Sequence, residues 1–242
     1  MLHGWGMHSG VWSDTAVQLA QHFSVHSVDL PGHGASVPVA GFSLERVAEH
    51  LAAQFDQPVT VCGWSLGGQV ALHWAMREPE KIKRLILVAS TPCFAERNDW
   101  PFGMPQQTLL QFAADLENNH SATLRRFLGL QVRGSDNERE LLAEMREQLF
   151  SRGEPDIDAL RGGLVILRDS DLRRELPGIS QPTLVVAGER DKLSPPEASI
   201  FMAQTLPNAR VKMIKGAAHA PFLSHREEFV GYVAEFLNEK QA

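Results

Sequence analysis

The sequence has little of what would place it outside the cell or in a membrane. Its 242 residues include two cysteines, Cys62 and Cys93, too few for the disulfide framework of a secreted domain. No apolar run approaches the roughly 18 residues that a membrane span needs. No basic segment followed by an apolar one opens the chain as a secretory leader would. We therefore expect a cytoplasmic protein with no membrane partner.

Positive charge is also scarce. The chain has 23 Lys and Arg against 29 Asp and Glu, a formal net charge of −6. This balance is unlike the basic surface of most nucleic-acid-binding domains. No group of His, Cys and Asp residues has the spacing of a metal site. We expect no nucleic-acid partner, no metal ion and no cofactor.

What the sequence does contain is an alternation of apolar strand patterns and helical patterns. Strands are predicted at 23–30, 58–62, 82–89, 182–187 and 211–214. Helices are predicted at 44–55, 68–77 and 226–238. Such alternation is typical of an α/β fold, with a mostly parallel sheet and helices on both faces.

One interval breaks the alternation. Residues 91–181 offer no buried strand pattern but four helical ones, at 106–116, 122–130, 138–150 and 157–167. We expect a core domain made of residues 1–90 and 182–242. Residues 91–181 would be a helical lid inserted between two strands of that core.

The most informative stretch is VTVCGWSLGGQVALHWAM, residues 59–76. A strand pattern runs into a helical pattern through Gly63-Trp64-Ser65-Leu66-Gly67, a G-x-S-x-G sequence. Between a strand and a helix this sequence predicts a nucleophile elbow, a sharp turn that lifts a serine hydroxyl above the sheet. An ordinary βα turn is the alternative, and the flanking strand and helix favour the elbow. Ser65 is therefore the candidate nucleophile.

A serine hydroxyl needs a base, and the base needs an orienting acid. In this arrangement the chain order is Ser, then acid, then His. His219, in KGAAHAPF, follows the strand at 211–214, and small neighbours leave room for its ring. His225 is the weaker alternative.

The candidate acid is Asp191, in VVAGERDKLSP after the strand at 182–187. The G-x-x-D spacing places its carboxylate at the loop tip. We expect Glu189 to be a solvated turn residue. An acid after the strand at 82–89 is a poor rival because none occurs before Glu96.

An ester hydrolase also needs donors for the developing oxyanion. The backbone N–H of Leu66, at the start of the helix, is one candidate. The second is the backbone N–H of Trp5 in the early loop LHGWGMHSG. We interpret His3 as a support for this loop rather than a second base. Asp29 and His33, in DLPGHGAS, are expected near the site without a catalytic role.

Taken together, HGWG, DLPGHGAS, GWSLGG, GERD and AAHAPF, in this order, resemble the α/β-hydrolase superfamily. ASTPCFAERNDWP, RRFLGLQ and GGLVILRDSDLR extend the resemblance to the pimeloyl-(acyl-carrier protein) methyl ester esterases of biotin synthesis. The resemblance implies hydrolysis of that methyl ester, with acyl carrier protein docking on the lid, by a protein we expect to be monomeric. Alternatives are a general short-chain carboxylesterase, a carbon–carbon bond hydrolase, and a non-catalytic hydrolase-like binding protein.

The resemblance also implies which residues contact substrate. The implied substrate-site residues are Trp5, Ser65, Leu66, Phe127, Leu128, Gly129, Leu130, Gln131 and His219. The apolar members of the 127–131 segment suit a pimeloyl chain, although the same pattern fits the core face of a lid helix.

Arginines of the lid are the implied contacts with the acidic carrier protein. Arg126 and Arg139 match the family best, whereas Ala122 and Ala143 stand where other family arginines are expected. The lid region is mixed in charge, with basic residues Arg125, Arg126, Arg133, Arg139 and Arg146 and acidic residues Asp136, Glu138, Glu140, Glu144 and Glu147. Carrier docking therefore depends on the resemblance and not on charge count.

The sequence departs from the family at its start. Only Met1 and Leu2 precede the HG motif, whereas family members have further strands before it. We expect the N-terminal strands to be missing here, either because the true start lies upstream or because the chain is a fragment.

Overall fold

The computed structural model describes residues 1–239. Its regular elements are α1 (Ser13–Leu19), α2 (Leu44–Ala52), β1 (Val59–Trp64), α3 (Leu66–Arg77), β2 (Ile82–Val88), α4 (Gln106–Asn118), α5 (His120–Val132), α6 (Glu138–Leu149), α7 (Ile157–Asp169), β3 (Thr183–Gly188), α8 (Pro196–Thr205), β4 (Ala209–Ile214), α9 (Pro221–Ser224) and α10 (Arg226–Asn238).

The strands form one parallel sheet in the order β1-β2-β3-β4 within residues 1–239. β3 is buried along its whole length and β2 at all positions but one. Their sequences are accordingly almost continuously apolar, as expected for central strands covered on both faces. α3 packs against β1 and β2, while α8 and α10 pack against β3 and β4. The predicted α/β fold with a parallel sheet packed against helices is confirmed.

The helix boundaries follow local chemistry. α2 begins after Ser43, whose side chain accepts a hydrogen bond from the Arg46 N–H at 3.3 Å. α3 ends at Arg77, two residues before Pro79, which begins a short 3₁₀ turn. Nine of the twelve α3 residues are buried, because this helix lies between the sheet and α2.

One strand prediction is wrong. Residues 23–30 do not form a strand, and only Val28 joins a β-bridge, with Leu2. The Val28 N–H donates to the Met1 carbonyl at 3.0 Å. The segment has strand-like residues but no neighbouring strand along its length, and strand pairing needs such a partner.

The edge of the sheet beside β1 is open. Leu2 bridges Val28 on one side and Gly63 on the other, both in parallel. A groove of about 770 Å³ extends from Leu2 between residues 22–28 and 54–62.

Between β2 and β3 the chain forms α4, α5, α6 and α7 and adds no strand to the sheet. α4 packs against α5 and α7, and α5 packs against α6. Buried Phe112, Phe127, Met145 and Leu160 belong to the same apolar core as the sheet. The four helical patterns are confirmed, while their role as a lid stays a prediction.

Candidate active site

The turn between β1 and α3 holds Ser65 in a strained conformation. Ser65 has φ 54° and ψ −117°, outside the backbone regions that a serine ordinarily adopts. Such strain costs about 1–3 kcal/mol and persists only when neighbours fix it. Here the Ser65 N–H donates to the Val88 carbonyl at 3.0 Å, and the Ser90 hydroxyl donates to the Ser65 carbonyl at 2.9 Å. This is the backbone geometry that a nucleophile elbow requires.

Glycines make the elbow sterically possible. A Cβ on Gly63 would lie 2.3 Å from the Gly67 carbonyl oxygen, and one on Gly67 would lie 2.7 Å from the His3 carbonyl oxygen. A Cβ on Gly68 would lie 2.3 Å from the Ser90 hydroxyl oxygen. At Gly63 the strand approaches α3, and at Gly67 the helix approaches residues 2–3, within distances that only glycine allows.

Asp191 and His219 form a buried pair. Asp191 lies in the loop after β3 and His219 in the loop after β4, and a carboxylate oxygen of Asp191 accepts from His219 Nδ1 at 2.8 Å. The other carboxylate oxygen accepts the N–H groups of Leu193 and Ser194 at 2.8 and 3.0 Å. The two backbone bonds fix the carboxylate in place, and because it accepts from Nδ1, the imidazole proton lies on that nitrogen. The lone pair of Nε2 is then free to accept a proton.

The His219 loop lies against the elbow. The indole Nε1–H of Trp64, the residue before Ser65, donates to the His219 carbonyl at 2.7 Å. His219 Nε2 is buried and has no hydrogen-bond partner within residues 1–239. It is therefore not bonded to the Ser65 hydroxyl here, and such catalytic bonds commonly tighten only when substrate binds.

Both predicted oxyanion donors have free N–H groups. Neither Trp5 N–H nor Leu66 N–H finds an acceptor among the described residues. The Trp5 indole, which is 1% exposed, donates to the Leu160 carbonyl at 2.9 Å and so anchors the loop to α7. A Cβ on Gly4 would lie 3.3 Å from the Ser65 Cβ, so this loop runs directly beside the candidate nucleophile.

His3 supports the oxyanion loop, as the sequence analysis expects. Its Nδ1–H donates to the Gly4 carbonyl at 2.8 Å, and its Nε2 accepts the Leu30 N–H at 2.9 Å. Burial, and then the neighbouring His33, lower the pKa of His3 to about 3. With both nitrogens occupied, His3 has no free atom with which to act as a second base.

The rival acid and base do not join the pair. Glu189 is exposed in the turn after β3, as the sequence analysis expects, and accepts the Gly216 N–H at 3.3 Å. His225 Nδ1 bonds to the Ser224 hydroxyl at 2.9 Å. Asp29 accepts the N–H groups of Ser9 and Ala35 at 2.6 and 3.0 Å, which is a structural role.

The predicted substrate segment forms the C-terminal half of α5. The Phe127 ring packs edge-on against Trp5 with ring centroids 5.0 Å apart. At the end of the segment, the Gln131 carbonyl accepts the His219 N–H at 3.1 Å. Leu128 is buried, and Gly129 and Leu130 are half-buried. The structure thus brings the two ends of the segment to the site.

Comparisons with known proteins agree with this geometry. A family model described as the alpha/beta hydrolase fold matches residues 1–226. A pimeloyl-(acyl-carrier protein) methyl ester esterase from Nitrosomonas europaea is 49% identical over 231 residues, 95% of this chain and 91% of that protein. An esterase of the same name from Chromobacterium violaceum is 44% identical over 100% of this chain and 94% of that protein.

The chain belongs to the pimeloyl-(acyl-carrier protein) methyl ester esterase family. Its fold also matches that of a solved esterase from Exiguobacterium antarcticum with a TM-score of 0.89 and 23% identity, covering 99% of this chain and 91% of that one. At that identity the match bears on the fold alone.

Sequence reasoning missed the part of this esterase-family site that α7 supplies. Leu160 receives the Trp5 indole bond, and a Cβ on Gly163 would lie 2.5 Å from a ring carbon of Trp5. One on Gly162 would lie 2.6 Å from the Phe42 Cβ. Paired glycines inside a helix are costly, so the Gly-Gly in IDALRGGLVILRD was the available signal of close approach.

The two candidate carrier contacts lie in different surroundings. Arg126 is exposed, ion-paired to Asp115 at 2.6 Å, and stacked over the Phe112 ring at 4.4 Å from its centroid. Arg139 is exposed on α6 and has no ion pair within residues 1–239. Both therefore face solvent on the inserted helices.

Within residues 1–239, no group of three or more His, Cys, Asp or Glu residues is arranged to hold a metal ion. None of the helices there combines the length and apolar character that crossing a membrane requires.

Proposed function

We propose that this protein is a serine esterase of biotin biosynthesis that hydrolyses the methyl ester of pimeloyl-acyl carrier protein. The products are methanol and pimeloyl-acyl carrier protein. The observation that carries the proposal is the Asp191–His219 pair with a free Nε2 beside the strained Ser65 elbow. The substrate class comes from the names of the relatives at 49% and 44% identity.

The proposed mechanism uses this geometry directly. Ser65 Oγ attacks the ester carbonyl carbon while His219 Nε2 takes the hydroxyl proton. Asp191 holds the ring orientation and stabilises the imidazolium. The N–H groups of Trp5 and Leu66 stabilise the oxyanion, a contribution of about 3 kcal/mol for one such donor.

Collapse of the tetrahedral intermediate completes acylation. The carbon–oxygen bond to methoxide breaks, and His219 returns its proton to release methanol. Water then attacks the acyl-enzyme, with the same nitrogen as base, and the second collapse frees the carboxylic acid and restores Ser65. Water is the only co-reactant, and one ester bond is exchanged for one acid and one alcohol.

We place the acyl chain along α5 and the carrier protein on the inserted helices. Phe127, Leu128 and Leu130 supply an apolar lining for pimeloyl, and Gly129 leaves open space because a Cβ there would meet nothing within 4 Å. Arg126 and Arg139 are the proposed contacts with the acidic carrier. In this proposal residues 91–181 act as the lid, and the cytoplasmic location and monomeric state stay predictions.

The test is methanol release from pimeloyl-acyl carrier protein methyl ester, run beside a short p-nitrophenyl ester. Ser65→Ala should reduce turnover of both by about a million-fold, and Asp191→Asn by about ten thousand-fold. Ser199→Ala is the matched control, since Ser199 is a buried serine within α8.

Two outcomes would contradict the proposal. Ser65-dependent cleavage of the short ester alone would indicate a general carboxylesterase whose lid serves another substrate. Failure of a fluorophosphonate probe to label Ser65 in folded protein would indicate a hydrolase-like binding protein.

A further inference from the structure

The turn between α5 and α6 is bonded to the loop that carries His219. We define the histidine loop as residues 215–220 and the α5–α6 turn as residues 133–137. The Ala218 N–H donates to the Ser135 hydroxyl oxygen at 3.2 Å, and the Asp136 N–H donates to the Gly216 carbonyl at 3.3 Å. The Gln131 carbonyl, just before the turn, accepts the His219 N–H.

The same turn also reaches the loop that carries Asp191. Arg190, its neighbour in sequence, donates to the Gly134 carbonyl at 3.1 Å and to the Asp136 carboxylate at 2.6 Å. The Arg190 N–H donates to the Ala217 carbonyl at 2.8 Å. One turn of the inserted helices therefore holds both loops that supply the general base and its orienting acid.

The contacts differ in burial and therefore in strength. Arg190 and Asp136 have side chains 45% and 62% exposed, and exposed pairs contribute little. Ser135 is 8% exposed, and its bond to Ala218 is buried. Removing a buried partner leaves the other group unsatisfied, which costs far more than losing an exposed bond.

We propose that Ser135 is a positioning residue, which holds His219 in its productive orientation by accepting the Ala218 N–H. The inference builds on the proposed function, because it assigns His219 as the base. Ser135 touches no reacting atom. It fixes the residue next to His219 on the same loop, while Gln131 fixes His219 itself from the end of the substrate segment.

The geometry leads to a specific kinetic result. Loss of the Ser135 hydroxyl frees one restraint on the histidine loop and leaves Ala218 N–H unpaired. Small misplacements of a catalytic group can cost up to about 100-fold in rate. We expect Ser135→Ala to lower kcat for ester hydrolysis about tenfold with KM little changed. Ser135→Thr keeps the acceptor oxygen and should restore most of kcat.

The experiment measures kcat and KM for a p-nitrophenyl ester, the thermal midpoint, and amide hydrogen exchange of the 214–221 segment. The variants are Ser135→Ala, Ser135→Thr, Asp136→Asn as the exposed contact of the same turn, and Ser199→Ala as a buried serine elsewhere. The proposal is supported if Ser135→Ala lowers kcat and speeds amide exchange while Ser135→Thr restores both. Asp136→Asn and Ser199→Ala should have near-normal kcat and exchange.

Opposite results would overturn the proposal that Ser135 positions His219. A lower thermal midpoint with unchanged kcat and exchange would show a structural role only, and failure of Thr to rescue would remove the acceptor oxygen from the explanation. If the wild type shows no Ser65-dependent turnover, the proposed function fails, while faster exchange in Ser135→Ala alone would still support the positioning of the loop.

Discussion

The elbow and the α5 segment reach the same site by different physical means. At the elbow, backbone meets backbone, and added Cβ atoms on Gly63 and Gly67 would lie 2.3 and 2.7 Å from backbone carbonyl oxygens. In α5, Gly129 has nothing within 4 Å of an added Cβ, and contact with the site is made through the Phe127 ring and the Gln131 carbonyl. The candidate nucleophile thus lies on a rigid turn, whereas the proposed substrate specificity depends on a helix that tolerates substitution.

The largest expected effect on stability comes from adding a methyl group at Gly63 in the elbow, and the same addition at Gly129 in α5 gives the contrast. Gly63→Ala would place Cβ 2.3 Å from the Gly67 carbonyl oxygen and 2.7 Å from the Gly68 nitrogen, both backbone atoms that cannot swing away. We expect a loss of about 3 kcal/mol or more of stability, at the upper end for overpacking. Gly129→Ala, inside α5, should instead raise stability by about 0.5–1 kcal/mol.

Urea denaturation of Gly63→Ala and Gly129→Ala measures both changes in the free energy of unfolding. A Gly63→Ala protein as stable as the wild type would contradict the close approach of β1 and α3. A destabilised Gly129→Ala would show that this face of α5 is more tightly packed than the contacts indicate.

The elbow could be predicted from the sequence because its requirements are local. Glycine spacing, a preceding strand and a following helix all fall within residues 59–76, and Asp191 and His219 follow strands that are themselves recognisable. The contacts of α7 with the candidate site could not be predicted, because Leu160 and Gly163 contact Trp5 from more than 150 positions away in the sequence. The strand prediction for residues 23–30 was wrong for a similar reason, because distant pairing partners decide whether apolar residues form a strand.

His3, in the loop of Trp5, and His33, whose ring centroid lies 5.1 Å from that of His3, are both buried, whereas His120, the one histidine of residues 91–181, is partly exposed. Burial lowers the pKa of His33 to about 4, and burial followed by the charge of His33 lowers that of His3 to about 3. In the unfolded chain both would titrate near 6.5. Between about pH 6.5 and these folded values the unfolded state binds more protons, so acidification destabilises the fold.

We expect about 2 kcal/mol of stability to be lost for each histidine between pH 7 and pH 5. His33→Asn can keep a donor to the Pro31 carbonyl, which His33 Nδ1 contacts at 3.1 Å, and removes one titrating group. Its free energy of unfolding should therefore fall less steeply with acidification than that of the wild type. Urea midpoints at pH 5, 6 and 7 provide the measurement, and parallel curves for the two proteins would contradict the assignment.

The smallest expected effect lies at the outer surface of the lid. Arg126 is paired with Asp115 and stacks on Phe112, whose ring packs against Phe127 with centroids 5.6 Å apart. Arg126→Ala would therefore alter carrier contact and substrate lining together. A variant of Arg139 tests the carrier contact separately from the substrate lining, because Arg139 is exposed on α6 without an ion pair within residues 1–239.

Arg139→Ala should raise KM for pimeloyl-acyl carrier protein methyl ester up to about fivefold, the range of a single exposed ion pair. The short p-nitrophenyl ester should be unaffected, because it carries no acidic protein. Salt should narrow the difference between variant and wild type, since the Debye length falls to about 3 Å at 1 M. Arg46→Ala, an exposed arginine on α2 of the core, is the matched control. Equal effects of the two variants would show a general response to net charge, and would move carrier docking away from α6.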